Sequence, residues 1–294
     1  MKKTALTLWT IWVGLMFVVI SSQAQETAPK FNLKLSGGYG KIIGGDLPSV
    51  IDGINNLVMD QAARTGASVS SWLENAEWGP ELEFEFVIKI NQRFGVGLGL
   101  GYIYRQNDTL VALGLSTLLE TSLAMKYTSS AIPILLSGYY FLPLGAKTQA
   151  YLKAGAGYYF GRLNSDLREE ANIGGITLWG ENKAETNDSS LGFHGGIGFD
   201  YKLSRTVALF AEAAGRCIKL NNWEGDNIYS AAWGSNKEHG YFWYVEELNH
   251  DTGKHYATLL MLPHEPTWAE YRNIRKAEFS FSGIALKLGV RIGF

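Results

Sequence analysis

Apolar and polar residues alternate along the last nine residues of the chain. Leu286, Leu288, Val290, Ile292 and Phe294 are apolar, and the residues between them are either charged or glycine. A period of two predicts a β-strand that has one apolar face and one polar face. The alternation by itself does not distinguish a strand at a lipid boundary from a strand in a soluble sheet.

The same alternation recurs in seven earlier segments, so the sequence predicts eight strands. Each segment has at least roughly the 9–11 residues that a tilted membrane-spanning strand needs. The fourth segment changes phase near 129–131, which predicts a β-bulge at that point. The eight segments are 31–39, 81–90, 94–104, 123–142, 150–160, 193–203, 206–220 and 277–294.

Long and short connections alternate between these predicted strands. The short connections are 91–93, 143–148 and 204–205. The long connections are 41–79, 105–121, 161–190 and 221–276. Short periplasmic turns that alternate with long extracellular loops are typical of bacterial up-and-down β-barrels. The predicted fold class is therefore all-β, a transmembrane antiparallel up-and-down barrel of eight strands.

The first 24 residues have the pattern of an export signal. Two lysines precede an apolar run over 6–20, and Ser22-Gln23-Ala24 then fits the small-x-small cleavage pattern. The run is too short for the roughly 20 residues that a membrane-spanning helix needs. We therefore expect a cleaved signal peptide at 1–24 and one barrel domain at 25–294.

Together these features resemble the small, eight-stranded outer-membrane β-barrel family of bacteria, over about 30–294. In that family, the barrel assembly machinery reads a terminal Phe that is preceded by apolar residues at alternate positions. The resemblance implies this role for Leu288, Val290, Ile292 and Phe294. It also implies the outer membrane of a Gram-negative-type envelope as the location, with outer-membrane lipids and the assembly machinery as partners. The alternative is a soluble lipocalin-like or sandwich protein, in which four loops this long at one end are unusual.

Composition narrows the classes of function. The chain holds 34 glycines in 294 residues, well above the average of about 7%. The single Cys217 excludes an internal disulfide, on which small secreted soluble domains often rely. A net charge of −2, with no basic tract, argues against a nucleic-acid partner.

If the apolar faces meet lipid, the polar faces must line the barrel interior. An eight-stranded barrel has an interior just wide enough for side chains to fill. We therefore predict a salt-bridged plug in preference to a narrow, porin-like channel, and we expect Glu85 to be shared between Lys34 and Lys287. The predicted lumen charge network consists of Lys34, Glu83, Glu85, Lys153, Glu212, Arg216, Lys287 and Arg291.

Two of the long connections have patterns of their own. Apolar residues recur at helical spacing over 47–58, and Asp46 and Pro48 suit a helix start. Segments 241–245 and 256–261 flank a turn-rich stretch, which predicts a β-hairpin. We expect an extracellular helix packed on the barrel and an extracellular hairpin. In the alternative, the two segments of the hairpin also span the membrane and the barrel has ten strands.

Candidate catalytic and metal-binding residues are few. Four of the five histidines lie in the last long connection, and their spacing matches no short metal-binding motif. His194 is the only histidine in a predicted strand, and a lipid hydrolase or acyltransferase would need it to act with Asp200 or a loop serine. No Gly-x-Ser-x-Gly or phosphate-loop motif is present. We therefore expect a structural or surface-interaction role without enzyme activity or a cofactor, with the channel and the lipid enzyme as alternatives.

Overall fold

The computed structural model describes residues 30–43, 45–74, 77–116 and 119–294. The predicted signal peptide at 1–24 lies outside these described residues. Within them, no helix has both the length and the apolar character needed to cross a membrane. The described residues form one helix, α1 (Leu47–Thr65), and the strands β1 (Phe31–Ile42), β2 (Ser68–Val69), β3 (Trp78–Lys89), β4 (Phe94–Ser116), β5 (Leu119–Pro143), β6 (Thr148–Ile173), β7 (Ile176–Lys202), β8 (Val207–Cys217), β9 (Lys219–Leu220), β10 (Glu224–Ala231), β11 (Gly234–Asn249), β12 (Lys254–Leu262), β13 (Tyr271–Lys276), β14 (Phe279–Ser280) and β15 (Gly283–Gly293).

The longest sheet is antiparallel, which confirms the predicted all-β class. Starting from β1, antiparallel pairs run through β3, β4, β5, β6 and β7 to β8. Strand β15 pairs with β8 on one side and with β1 on the other. The series of pairs therefore returns to the strand from which it started. Each of the eight predicted segments contributes one of these strands.

Alternate residues of these strands lie on two faces with opposite character. Lys34 of β1 lies opposite Glu85 of β3, and these residues are only 4% and 0% exposed. Their neighbours Leu35 and Phe84 are 44% and 46% exposed. We call the buried, charged side the inner face and the exposed, apolar side the outer face. Charge inside and apolar surface outside is the reverse of the arrangement in soluble proteins.

The outer face carries aromatic residues at two levels. Tyr39 stacks on Trp78 near one end of the strands, and Phe94 packs on Tyr140 near the other, with ring centroids 6.1 and 5.2 Å apart. In β4, Phe94 and Tyr104 are separated by about 33 Å along the strand, at roughly 3.3 Å per residue. A strand tilt of about 40° reduces this distance to roughly 25 Å along the barrel axis. Membrane barrels have aromatic girdles on either side of an apolar band of about this height.

The prediction of long loops at 105–121 and 161–190 is wrong, because most of these residues form β-strands. Strand β4 pairs with β5 as far as Ser116, and β6 pairs with β7 as far as Ile173. Beyond the apolar band, the outer face of these strands becomes largely polar, as at Lys126, Arg162 and Glu185, while the inner face carries buried apolar residues such as Val111 and Tyr127. The alternation of apolar outer and polar inner residues therefore ends. The backbone pairing continues nevertheless, because it does not depend on the alternation. The sequence pattern therefore indicates the apolar span of each strand and not its full length.

The β-bulge predicted near 129–131 is also wrong. Strands β5 and β6 pair without a register shift along their whole length. Met125, Ala131 and Tyr139 are all at most 9% exposed, so odd-numbered residues of β5 stay on the inner face throughout. The hydrophobic phase changes because the outer face changes along the strand. It is polar at Lys126 and Thr128, and it is apolar at Ile132 and Ile134, where the apolar band begins.

Helix α1 forms where the sequence predicts it, but the side chain of Asp46 does not cap the helix. Its carboxylate instead accepts two hydrogen bonds of 2.5 Å from Arg275 and one of 2.7 Å from the backbone N–H of Glu278. Pro48 stands in the first turn, where its missing N–H has no intrahelical acceptor. Gly66, with φ of 72°, ends the helix in the left-handed conformation. The start of α1 is thereby tied to the chain that precedes β14.

The predicted hairpin is confirmed as β11 and β12, which pair over Tyr241–Asn249 and Lys254–Leu262. It is not isolated, because β10 connects β11 to the extended part of β7. Helix α1 packs against β12 at the same end of the molecule. We call this the helix end, and the opposite end, with the short connections, the short-turn end. Ile51 and Val58 of α1 also pack with Val111 of β4 and Met125 of β5, which confirms the predicted packing of α1 on its own barrel.

Candidate functional site

Six charged side chains meet on the inner face and form what we call the central ionic cluster. They come from five different strands, and each side chain is at most 10% exposed. The numbers of positive and negative groups are equal, which matters because an unpaired ion in a confined interior is costly. The members are Lys34 of β1, Glu83 and Glu85 of β3, Lys153 of β6, Glu212 of β8 and Lys287 of β15.

Lys153 is the hub of the central ionic cluster. Its Nζ lies 2.9 Å from Glu85 Oε2 and 4.0 Å from Glu212 Oε1, and it also contacts Glu83. The carboxylate of Glu83 accepts a second hydrogen bond, of 2.5 Å, from Lys287 Nζ. One ammonium group therefore connects β6 to β3 and β8 across the interior.

Two tyrosines complete the coordination of the charges. Lys34 Nζ lies 2.9 Å from Glu212 Oε2, and it donates hydrogen bonds of 3.2 Å to the hydroxyl oxygens of Tyr139 and Tyr151. The Tyr151 hydroxyl donates to Glu212 at 2.7 Å, and the Tyr139 hydroxyl donates to Glu85. The sequence prediction missed both tyrosines because it considered only charged residues on the inner face. Their aromatic bodies fill space while their hydroxyls satisfy buried ions.

The prediction that Lys34 and Lys287 share Glu85 is wrong. Glu85 is bound by Lys153 instead. Lys34 lies opposite Glu85 in the strand register, but its long side chain crosses the interior to reach β8. Lys287 lies opposite Gly38, four residues along β1 from Lys34. Adjacent strand positions therefore do not determine the ion pairs, because the side chains span the interior.

A second ion cluster lies towards the helix end. Glu81 accepts hydrogen bonds of 2.8 Å from both Arg105 and Arg216. Arg105 is only 1% exposed, yet the prediction missed it because its position fell in a predicted loop. Towards the short-turn end, Arg291 pairs with Asp200. The remaining two members of the predicted network, Arg216 and Arg291, thus lie on either side of the central ionic cluster.

Little free space remains in this interior. A cavity of about 30 Å³ lies beside the central ionic cluster, between Glu81, Lys153 and His194. Such a volume holds only two or three water molecules, since one water needs roughly 10–15 Å³ by this measure. At the level of the central ionic cluster, the side chains therefore occupy most of the bore.

The inner-face glycines of β4 provide room for neighbouring side chains. A Cβ on Gly97 would clash with the Glu85 carboxylate and lie 3.0 Å from the ring of Tyr139. A Cβ on Gly101 would lie 2.9 Å from the ring of Pro133. Neighbouring side chains therefore fill the space beside these glycines.

His194 lies on the inner face, but away from the partners that an enzyme would need. Its Nε2 is 3.0 Å from Ser137 Oγ, and Nδ1 has no hydrogen-bond partner within the described residues. Asp200, the acid suggested by the sequence, pairs with Arg291 instead. A hydrolytic triad requires an acid on the histidine nitrogen that faces away from the nucleophile. Ser137 and His194 therefore form a hydrogen-bonded pair without the third member.

At the helix end, the inner face changes from charged to apolar, and we call this region the apolar cap. The rings of Trp223 and Phe279 meet edge to face with centroids 5.6 Å apart, and Val50 of α1 packs in the same cluster. Ile103 and Tyr159 belong to the cap and also line the small cavity beside the ions. The apolar cap therefore borders the ionic interior and covers it at the helix end.

A groove of mixed charge lies on the surface of the helix end, between α1 and β12. Its volume is about 570 Å³, and Asp60 in its wall binds Lys254 at 2.8 Å and Tyr256 at 2.6 Å. His255 also lines the groove. No group of three or more side chains in the described ranges is arranged to hold a metal ion.

His239 on β11 forms an exposed ionic clamp with β10. Its Nδ1 lies 2.9 Å from Asp226, and its Nε2 lies 3.1 Å from Glu224. Hydrogen bonds with Asp226 first, and with Glu224 second, raise the pKa of His239 above its ordinary value of 6.5. The protonated imidazole donates to both acids, so the clamp stabilises the pairing of β10 with β11. This stabilisation is present while His239 is protonated, and it weakens as the pH rises through the pKa of His239 in the folded protein.

We expect an NMR titration to give His239 a pKa above 6.5. Asp226→Asn should lower that pKa more than Glu224→Gln does, because Asp226 makes the stronger contribution. Asp251→Asn, which removes an exposed acid that does not contact His239, is the control and should leave the pKa unchanged. Equal shifts in all three variants would show that net charge, and not the clamp, sets the pKa.

The fold and the charged interior define a membrane β-barrel protein, and the comparison with known protein families agrees. A model of the outer membrane protein beta-barrel domain family matches residues 11–234. The chain belongs to this family, which places it in the outer membrane. Comparison with curated proteins finds no significant match.

The comparison with solved structures finds outer-membrane and surface proteins at low similarity. Neisserial surface protein A aligns over 92% of this chain and 100% of its own, with 14% identity and a TM-score of 0.35. A major outer membrane protein of Thermus thermophilus aligns over 89% and 99%, with 14% identity and a TM-score of 0.38. The attachment invasion locus protein Ail of Yersinia pestis aligns over 90% and 99%, with 10% identity and a TM-score of 0.29. These similarities are low, so the assignment rests on the family match.

Proposed function

We propose that this outer-membrane protein is a closed, eight-stranded transmembrane barrel with a plugged interior and a structural or surface-interaction role. The antiparallel pairs that return from β15 to β1 support eight strands, because β11 and β12 pair outside this series. The observation that carries the functional proposal is the filled interior. The ionic cluster leaves a cavity of only about 30 Å³, and the apolar cap covers it.

A plugged interior favours a role in which a rigid barrel displays its surface outside the membrane, and it does not favour a role in transport. Ion pairs that connect opposite strands hold the barrel cross-section fixed, and the extended strands β4 to β7 carry polar surface well beyond the apolar band. The groove between α1 and β12 offers the helix end a concave surface of about 570 Å³ for a partner. We propose outer-membrane lipids as the partner of the apolar outer face, and the barrel assembly machinery as the partner that recognises the exposed apolar face of β15.

A channel is the alternative function, and planar-bilayer recordings distinguish the two. We expect no stable single-channel steps from the purified protein, under conditions where a porin conducts. If steps occur, Glu83→Gln should alter their ion selectivity only when the current passes through the interior. Glu238→Gln, which removes the same charge from an exposed position of β11 outside the interior, is the matched control. Stable steps that respond to Glu83→Gln alone would establish a channel and refute the plug.

The proposed orientation puts the helix end outside the cell and the short-turn end in the periplasm. With Cys217 replaced by serine, single cysteines at Thr65 and Ser235 should react with an impermeant maleimide in intact cells. A cysteine at Gly145, which is equally exposed in the folded protein, should react only after the outer membrane is permeabilised. Reaction of Gly145→Cys in intact cells would overturn this orientation.

A further inference from the structure

The short-turn end of the barrel holds a cavity that none of the proposed roles uses. It has a volume of about 660 Å³ and opens among the ends of β1, β3, β6, β7, β8 and β15. We call it the basic vestibule, because five of its lining residues are cations and only Asp200 is an acid. The five cations are Lys89, Lys147, Lys202, Arg205 and Arg291.

The charges of the basic vestibule are not balanced within the protein. Arg291 pairs with Asp200. Among the described residues, no carboxylate forms a salt bridge with Lys89, Lys147, Lys202 or Arg205. The central ionic cluster, in contrast, has one glutamate for every lysine. The barrel therefore neutralises its middle and leaves an excess of positive charge at this mouth, where a concave wall concentrates the field.

A buried amide donor also lines the basic vestibule without a partner. Gln149 is only 7% exposed, and its Nε2 has no hydrogen-bond acceptor among the described residues. Buried polar groups are almost always hydrogen-bonded, so an orphan donor in a cavity wall indicates a missing acceptor. An anion with several oxygen atoms supplies such an acceptor and the missing negative charge together.

Aromatic rings hold two of the cations at the inner end of the vestibule. Lys89 Nζ lies 4.8 Å from the ring centroid of Phe141, and the Arg291 guanidinium carbon lies 5.6 Å from the same ring. This contact restrains both groups before a ligand binds, which reduces the cost of ordering them. Lys89 has no carboxylate partner among the described residues and is therefore available to a ligand, whereas Arg291 is held in place by Asp200.

We propose that the basic vestibule binds a phosphate-bearing anion, either a small soluble phosphate or the phosphate of a lipid headgroup. Arginine forks and lysine ammonium groups are the side chains that bind phosphate oxygens in proteins. The volume falls within the range of pockets that accept small molecules. Under the proposed orientation this site faces the periplasm, but binding in detergent does not depend on that orientation or on the absence of a channel.

Calorimetric titration of pyrophosphate into the folded, full-length protein in a non-ionic detergent tests the proposal. We expect saturable binding that weakens with added salt. The double variant Lys202→Gln/Arg205→Gln should weaken binding at least ten-fold. It changes the exposed last residue of β7 and an exposed residue of the following turn, so it should fold normally. Lys30→Gln/Arg93→Gln removes the same charge from the same end outside the vestibule, and it should bind like the unaltered protein.

A second titration identifies the source of the phosphate. Short-chain phosphatidylglycerol and phosphatidylcholine are titrated into the same protein in the same detergent. Binding of phosphatidylglycerol but not pyrophosphate, lost in the Lys202→Gln/Arg205→Gln variant, supports a headgroup site. Saturable binding of neither pyrophosphate nor phosphatidylglycerol would overturn the proposal. So would equal weakening in the Lys30→Gln/Arg93→Gln control, because nonspecific charge would then explain the binding.

Discussion

Replacing Glu85 by leucine should lower the free energy of unfolding by about 3–5 kcal/mol, the range found when one partner of a buried ion pair is removed. Glu85 is 0% exposed, and its carboxylate accepts hydrogen bonds from Lys153 and Tyr139. Without it, the central ionic cluster has three lysines and two glutamates in a space that holds almost no water. The measurement is urea-induced unfolding in lipid vesicles, with the free energy extrapolated to zero urea.

Phe86→Leu is the matched control for this substitution. Phe86 is the next residue of the same strand, and it points to the outer face with 38% of its surface exposed. A change between two apolar side chains that face lipid should cost less than about 1.5 kcal/mol. Equal stability of Glu85→Leu and Phe86→Leu would mean that the inner face of β3 has been assigned incorrectly.

The face of each strand could be predicted from the sequence, because residue parity alone decides it. Lys34, Lys153 and Glu212 were assigned to the inner face on this basis, and all three are at most 5% exposed in the structure. The ends of the strands could not be predicted in the same way. Outside the apolar band, the outer face becomes polar and the alternation of apolar and polar residues ends. The signal therefore disappears although β6 and β7 continue, with Ala184 and Thr186 still buried on either side of the exposed Glu185.

The partners of the inner-face charges could not be predicted because the contacts cross the barrel. Strand register brings Lys34 next to Glu85, yet the lysine ammonium group lies against Glu212 on β8. Which acid a lysine reaches depends on the barrel diameter and on the space left by residues such as Gly97. Neither quantity is encoded in the spacing of residues along one strand.

The phase change in β5 has a meaning that became clear only in three dimensions. The prediction from sequence assumed that one face of β5 is polar along the whole strand. Under that assumption, a β-bulge is the simplest explanation for the change of phase near 129–131. In the structure, the outer face of β5 changes from polar to apolar at this point. The inner face of the barrel is divided into three zones along the barrel axis: the apolar cap, the central ionic cluster and the basic vestibule. Met125 lies near the apolar cap and Tyr139 lies in the ionic zone, although both belong to the same face.

Replacing Gly53 by leucine should detach α1 from the apolar cap and expose it to protease. Gly53 is buried against the backbone of β12, and an added Cβ would clash with the carbonyl oxygen of Ala257 and lie 2.8 Å from its nitrogen. Overpacking of this kind typically costs about 1–3 kcal/mol. Leucine is otherwise the better helix former by roughly 1 kcal/mol, so any loss must come from the docking of the helix and not from the helix itself.

The measurement is the rate of trypsin cleavage after Arg64, followed by mass spectrometry on the folded protein in detergent. If cleavage follows the population of the detached helix, a cost of this size raises the rate roughly ten- to a hundred-fold, since about 1.4 kcal/mol corresponds to a factor of ten. Asn56→Leu, an exposed position on the same helix, should leave the rate unchanged. An unchanged rate in Gly53→Leu would contradict the close packing of α1 on β12, and with it the role of the helix in covering the interior.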